Sequence, residues 1–89
     1  MTDQEKSLIE FPCDFPIKIM GKNHIDLETA VVSIFNRHVE DFGEDAMRSR
    51  QSKNGNYISI TVTIVAESQD QLDNIYRELS SHELVMMAL

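Results

Sequence analysis

Residues 52–66, SKNGNYISITVTIVA, carry the strongest structural signal in the chain. Ile58, Ile60, Val62 and Ile64 alternate with Ser59, Thr61, Thr63 and Val65. A period of two built from β-branched residues specifies a strand with one face in a core. Just upstream, Asn54-Gly55 is a dipeptide that readily takes the positive φ angles of a two-residue type I′ turn, so a hairpin is expected. The incoming arm, Ala46 to Lys53, has Met47 and little else apolar. Only pairing across the turn makes such a sequence a strand.

On the N-terminal side of the hairpin, the segment from Ile25 to Val39 places Leu27, Val31, Ile34, Phe35 and His38 at helical spacing. Asn23 or Asp26 is expected to cap its start. Asp26 and Glu28 suit the positive end of the helix dipole, and Arg37 and His38 the negative end. Glu40 to Asp45 breaks the period, contains Gly43 and reads as a loop. Further upstream, Phe15, Ile17 and Ile19 alternate with Lys18 and Met20 in a short strand ended by Gly21. It is entered through Phe11-Pro12-Cys13-Asp14-Phe15-Pro16, whose prolines favour extended neighbours.

On the C-terminal side, Ser68-Gln69-Asp70-Gln71 is a capping box. The Ser68 hydroxyl is expected to accept the Gln71 amide while the Gln71 side chain reaches back. Leu72, Ile75, Tyr76 and Leu79 form one stripe, which gives a helix to about Ser81. Leu84 to Leu89 reads as a closing apolar strand with Val85, Met87 and Leu89 on one face.

The order is therefore βαββαβ. Two helices with one apolar stripe each share a single face of the sheet. Right-handed crossovers then favour the split βαβ arrangement, an α+β ferredoxin-like sandwich with an antiparallel sheet in the order 4-1-3-2. Strand polarity agrees: the third strand, central in that order, is richest in β-branched apolar residues, and the second, at an edge, is poorest. The face away from the helices would show Ser59, Thr61 and Thr63.

Composition narrows the function classes. With 89 residues, 42% hydrophobic and 26% charged, the chain has material for one core. The expected organisation is a flexible acidic tail over residues 1–10 and a single domain over residues 11–89. The first ten residues lack the basic start and apolar run of a secretory signal, and no apolar stretch reaches the roughly 20 residues of a membrane span. Cys13 has no second thiol to pair with. A reducing, cytoplasmic setting is expected. The net charge of −7 argues against a protein that coats nucleic acid or an anionic membrane. Tyr57 is the only aromatic on the third strand, too few for a base-stacking platform.

No catalytic constellation is visible. Nothing in the spacing places His24, His38 or His82 beside Cys13, whose expected role is that of a small, partly buried packing residue. The three histidines lack zinc-ligand spacing, and His38 reads as a satisfied residue at the edge of the core. Glu40, Asp41, Glu44 and Asp45 lack the alternation of a calcium loop. Neither a metal nor a cofactor is implied, and the chain is not expected to be an enzyme.

Two surfaces remain. Gly21-Lys22-Asn23-His24 leads into a helix N-terminus, as an ordinary turn or as a loop that binds a small anionic ligand. Arg48, Arg50 and Lys53 lie in a stretch, Ala46 to Ala66, that has no acid. That stretch carries +3 and leaves −10 for the rest of the chain. Arg48 and Arg50 alternate on one side of an edge strand, where they protect the edge from aggregation or form a docking strip for an acidic partner.

The motifs FPCDFPIKIMG at residues 11–21, SKNGNYISITVTI at 52–64 and LVMMAL at 84–89 resemble those of the YbeD-like family, small bacterial proteins of unknown function. The resemblance covers nearly all the chain after residue 8. It implies a fold like that of the ACT regulatory domain, a ferredoxin-like module that binds small effectors such as amino acids. In ACT domains the effector lies near the loop after the first strand, where Gly21 holds the matching position. The resemblance also implies a connection with lipoate metabolism. The combined expectation is a non-enzymatic regulatory domain acting through protein contacts, with a partner or with itself. The alternative is a free-standing sensor of a small, amino-acid-like metabolite at Gly21 to His24.

Overall fold

A computed structural model describes residues 10–89. The expected tail over residues 1–10 lies outside that range except for Glu10. The elements are β1 (Cys13–Lys22), α1 (Leu27–His38), a 3₁₀ turn (Glu44–Ala46), β2 (Met47–Gln51), β3 (Tyr57–Ala66), α2 (Gln69–Ser81) and β4 (Val85–Ala88). The sheet order is β2-β3-β1-β4, the expected order read from the other edge, and every pairing is antiparallel.

β1 and β3 pair along their whole length, from Cys13 opposite Ala66 to Lys22 opposite Tyr57. Their inward residues Ile17, Ile19, Ile58, Ile60, Val62 and Ile64 meet Leu27, Val31, Ile34 and Phe35 of α1 and Leu72, Ile75 and Leu79 of α2. Burying each such side chain contributes about 1.5–3 kcal/mol against the entropy of ordering the chain. Among the described residues no polar side chain is buried in this core. Phe42, from the loop after α1, stacks on Phe35 with ring centroids 5.3 Å apart. Pro16 interrupts no ladder. The amides of Lys18 and Lys22 face β4, donating to Leu89 and Leu84, and Pro16 falls beyond that pairing.

Local details depart from expectation where tertiary contacts intervene. β1 does not end at Gly21 but runs through it to Lys22. Gly21 is buried, and the carbonyl oxygen of Leu84 fills the space that a Cβ there would need. The hairpin is not a two-residue type I′ turn. The Ser52 amide donates to Tyr57 O, and Gly55 N–H to Ser52 O at 2.9 Å, leaving residues 53–56 as the loop. Gly55 has φ of 75° whereas Asn54 does not enter the positive region that type I′ requires of it. In the acidic loop the left-handed residue is Asp41, with φ of 57°, while Gly43 is extended.

The helix starts also differ. Neither Asn23 nor Asp26 caps α1 through its side chain. His24 takes the role: Nδ1 accepts the Asp26 amide and its carbonyl accepts the Leu27 amide, both at 3.0 Å. At α2 the Ser68 hydroxyl accepts the Gln71 amide at 3.1 Å, as the capping box requires. The Gln71 side chain reaches back one residue further, accepting the Glu67 amide at 2.6 Å. Its Nε2 donates to the carbonyl of His38, which ties the two helices together.

β4 departs most. Val85, Met87 and Leu89 do not share a face, because the register with β1 shifts between Met20 and Gly21. Leu84, Val85 and Ala88 pack on the core, while Met86, Met87 and Leu89 are half exposed or more. Among the described residues no helix is long and apolar enough to cross a membrane.

Candidate functional site

Among the described residues the sheet has one face against the helices and one open face. Pairing aligns the open-face residues in rows across the strands. One row runs Arg48, Thr61, Lys18, Leu89, and the next runs Arg50, Ser59, Met20, Met87. Lys22 and Tyr57 stand opposite each other in the row beyond. The arginines therefore do not line the outer rim of β2; they project from the open face. The face is cationic on its β2 side and apolar on its β4 side, with Lys18 and Met20 between. Asp14 is the only acid in any of the four strands; the other acids from Asp26 onward lie in helices and loops.

The apolar part consists of Met20, Met87, Leu89 and Tyr57, from 43% to 69% exposed. Shallow hollows flank Met20, one of about 80 Å³ toward Met87 and Leu89 and one of about 160 Å³ toward Tyr57 and Arg50. At the other end of β3, Thr63 and Val65 adjoin a cleft of about 560 Å³ whose lining includes Glu40, Asp41, Asp45 and Glu67. The face thus changes from cationic to acidic along β3. Lys53 sits in the exposed hairpin loop, apart from the arginine rows.

The residues at the start of α1 are divided rather than gathered. Gly21 points into the core and Lys22 toward the open face. Asn23 and His24 line a separate cleft of about 420 Å³ with Ile25, Glu28, Ser49, Gln51 and Ile58. Asn23 is bolted to the hairpin through Nδ2 to Gly55 O at 2.6 Å and its amide to Asn56 O at 3.0 Å. Ser49 donates to the carboxylate of Glu28 across the same cleft.

The helix layer holds one charge cluster. Arg37 and His38, at the end of α1, both engage the carboxylate of Glu78 on α2. The Arg37 hydrogen bond, and after it that of His38, hold the Glu78 carboxyl down at about 2. The guanidinium of Arg37 is raised in turn by its bond to Glu78. His38 is thus the satisfied histidine its spacing implies. Cys13 is partly buried against the core. Among the described residues no cluster of histidine, cysteine or carboxylate side chains is arranged to hold a metal ion.

Lys18 and Met20 were readable as outward residues of β1 from their alternation with Ile17 and Ile19; Lys22 was not, because the glycine before it reads as the end of the strand. Met87 and Leu89 were not, because the register shift that exposes them leaves no mark in the sequence of β4.

These features define a ferredoxin-like α+β domain with an open, charge-divided sheet. The family described as "Protein of unknown function (DUF493)" matches residues 6–89, and the chain belongs to it, in keeping with the resemblance to YbeD-like proteins. The chain is similar to the UPF0250 protein of Neisseria gonorrhoeae strain FA 1090, 50% identical over 91 residues with all of both chains covered. It is 48% identical to the UPF0250 protein NE1487 of Nitrosomonas europaea, over 96% of this chain and 98% of that one. A UPF0250 protein of Paraburkholderia phymatum is 43% identical over the full length of both. The solution structure of protein HP0495 from H. pylori superposes with a TM-score of 0.78 at 18% identity, covering 100% of this chain and 93% of that one. That likeness establishes the shared fold.

Proposed function

We propose that this protein is a non-enzymatic regulatory domain that acts by binding another protein through the cationic half of its open sheet face. The observation that carries the reading is the segregation of charge. In a chain of net charge −7, Lys18, Lys22, Arg48 and Arg50 share one face with Asp14 as the only strand acid. Edge protection needs only one or two charges on β2, and it accounts for neither the lysines of the central strand β1 nor the exposed Met87 and Leu89. Pairing of this cationic half with the same half of a second copy would set like charges together, so a different protein is the better fit. The family resemblance makes enzymes that handle lipoate the first partners to try. The test is capture from an extract of the native cell by the full-length protein and by R48E/R50E. Specific partners retained by the first and lost by the second support the reading, and equal capture refutes it.

A second reading has its own observation. The cleft of about 420 Å³ beside Asn23 and His24 has Ile25 at its mouth, 89% exposed. A large aliphatic side chain left in water beside polar groups suits a small amphipathic metabolite. Titration of amino acids and lipoate precursors against the amide signals of Asn23, His24, Ser49 and Gln51 tests it. Silence across the panel excludes it.

A further inference from the structure

We infer that the occupant of the open face is an acidic amphipathic helix of the partner, lying along β3 between the Arg48/Arg50 wall and the Lys18/Met20 wall. This rests on the proposal that the open face binds protein, and it adds the chemistry and shape of what binds. Ser59 and Thr61, short and partly covered, form the floor of a trough between longer exposed side chains on β2 and β1. The walls stand two strand spacings apart, roughly 9–10 Å, so a helix about 10–12 Å across rests on the long side chains of both walls, above the Ser59 and Thr61 floor.

Cations stand on both walls, so carboxylates on either flank of the helix find a partner. Apolar residues on its underside meet Met20 and, over the rim of β1, Met87 and Leu89. Unbranched methionine side chains adapt to aliphatic knobs of varied shape, as surfaces that take amphipathic helices require. Nucleic acid would meet the cations but leave the Met87 and Leu89 side without a role. In a second copy the acids nearest β3 are Asp14, opposite Val65, and those of the loops around the cleft at that same end, away from the half where cations and apolar groups coincide. Charge and apolar surface together select an acidic amphipathic chain.

Two measurements on the full-length protein test this. The first is NMR titration with three probes: a helical peptide with leucines on one face and glutamates elsewhere, the same peptide with lysines for glutamates, and the acidic peptide with serines for leucines. The acidic amphipathic peptide should shift the Ser59 and Thr61 amides and the Met20 and Met87 methyls. The other two should bind at least tenfold more weakly, and R48E/R50E should weaken the first about tenfold. Equal binding of all three peptides overturns the inference, as does tighter binding of an anionic phosphatidylglycerol vesicle or a uridine oligonucleotide. Dimerisation through this face, seen by light scattering and abolished by R48E/R50E, also overturns it. The second is photo-crosslinking in the native cell from a benzoylphenylalanine at Ser59, with one at Asp73 on the helix layer as control. A Ser59-specific crosslink to an acidic amphipathic segment supports both proposals. A crosslink to a neutral or basic segment overturns this inference and leaves the protein-binding reading intact. No Ser59-specific crosslink refutes both.

Discussion

The backbone carbonyl of Leu84 rests against Gly21, in the space where any larger residue would carry its Cβ, and accepts the Lys22 amide at 3.2 Å. The glycine serves a close approach of two segments, the end of β1 and the start of β4. Gly21→Ala is expected to push β4 away and to cost about 2 kcal/mol, the scale of overpacking in a tight site. Urea unfolding measures the loss, and faster hydrogen exchange at Lys22 and Val85 locates it. An unchanged midpoint would show that β4 yields freely.

The carboxyl of Glu78 gives a pH signature. Arg37 and His38 hold it at about 2 in the folded protein, against an ordinary value of 4.5. A carboxyl depressed by folding adds stability above its unfolded value. That increment is lost as pH falls from about 4.5 toward 2. Glu78→Gln should therefore melt below the native protein at pH 7, with the gap closing as pH falls through this window. A side-chain NMR titration of Glu78 with its midpoint near 4.5 would contradict the cause.

The hairpin loop separates two residues that the sequence pairs. Gly55 alone occupies the left-handed region, so Gly55→Ala is expected to cost about 1 kcal/mol. Asn54→Ala should stay within about 0.5 kcal/mol. Chemical denaturation of both variants distinguishes this loop from a type I′ turn, in which Asn54 would also be sensitive.

The register shift in β4 predicts opposite outcomes at neighbouring positions. Val85 packs on the core, so Val85→Ala should cost about 1 kcal/mol. Met87 is half exposed on the open face, and Met87→Ala should change stability by less than about 0.5 kcal/mol. The same Met87→Ala variant should weaken binding of the acidic amphipathic peptide, which calorimetry would register. Similar stability losses at both positions would return β4 to simple alternation.

The order of elements, the pairing of strands and the single helical layer were legible in the sequence because they rest on periodicity. Ile58 to Ile64 alternates without a break, and Leu27 to Phe35 and Leu72 to Leu79 each keep one stripe, so each segment had only one way to bury its apolar side. The cationic stretch from Arg48 to Lys53 was legible for the same local reason. Tertiary structure alone decided where that charge points and what it stands beside. Arg50 and Met87 are 37 residues apart in sequence and share a row only because β3 and β1 lie between them. Gly21 became a packing residue, and Met87 and Leu89 an exposed patch, through a register shift at the approach of Leu84. A shift of that kind is settled by how two strands fit against a third body of side chains, and no residue within β4 records it.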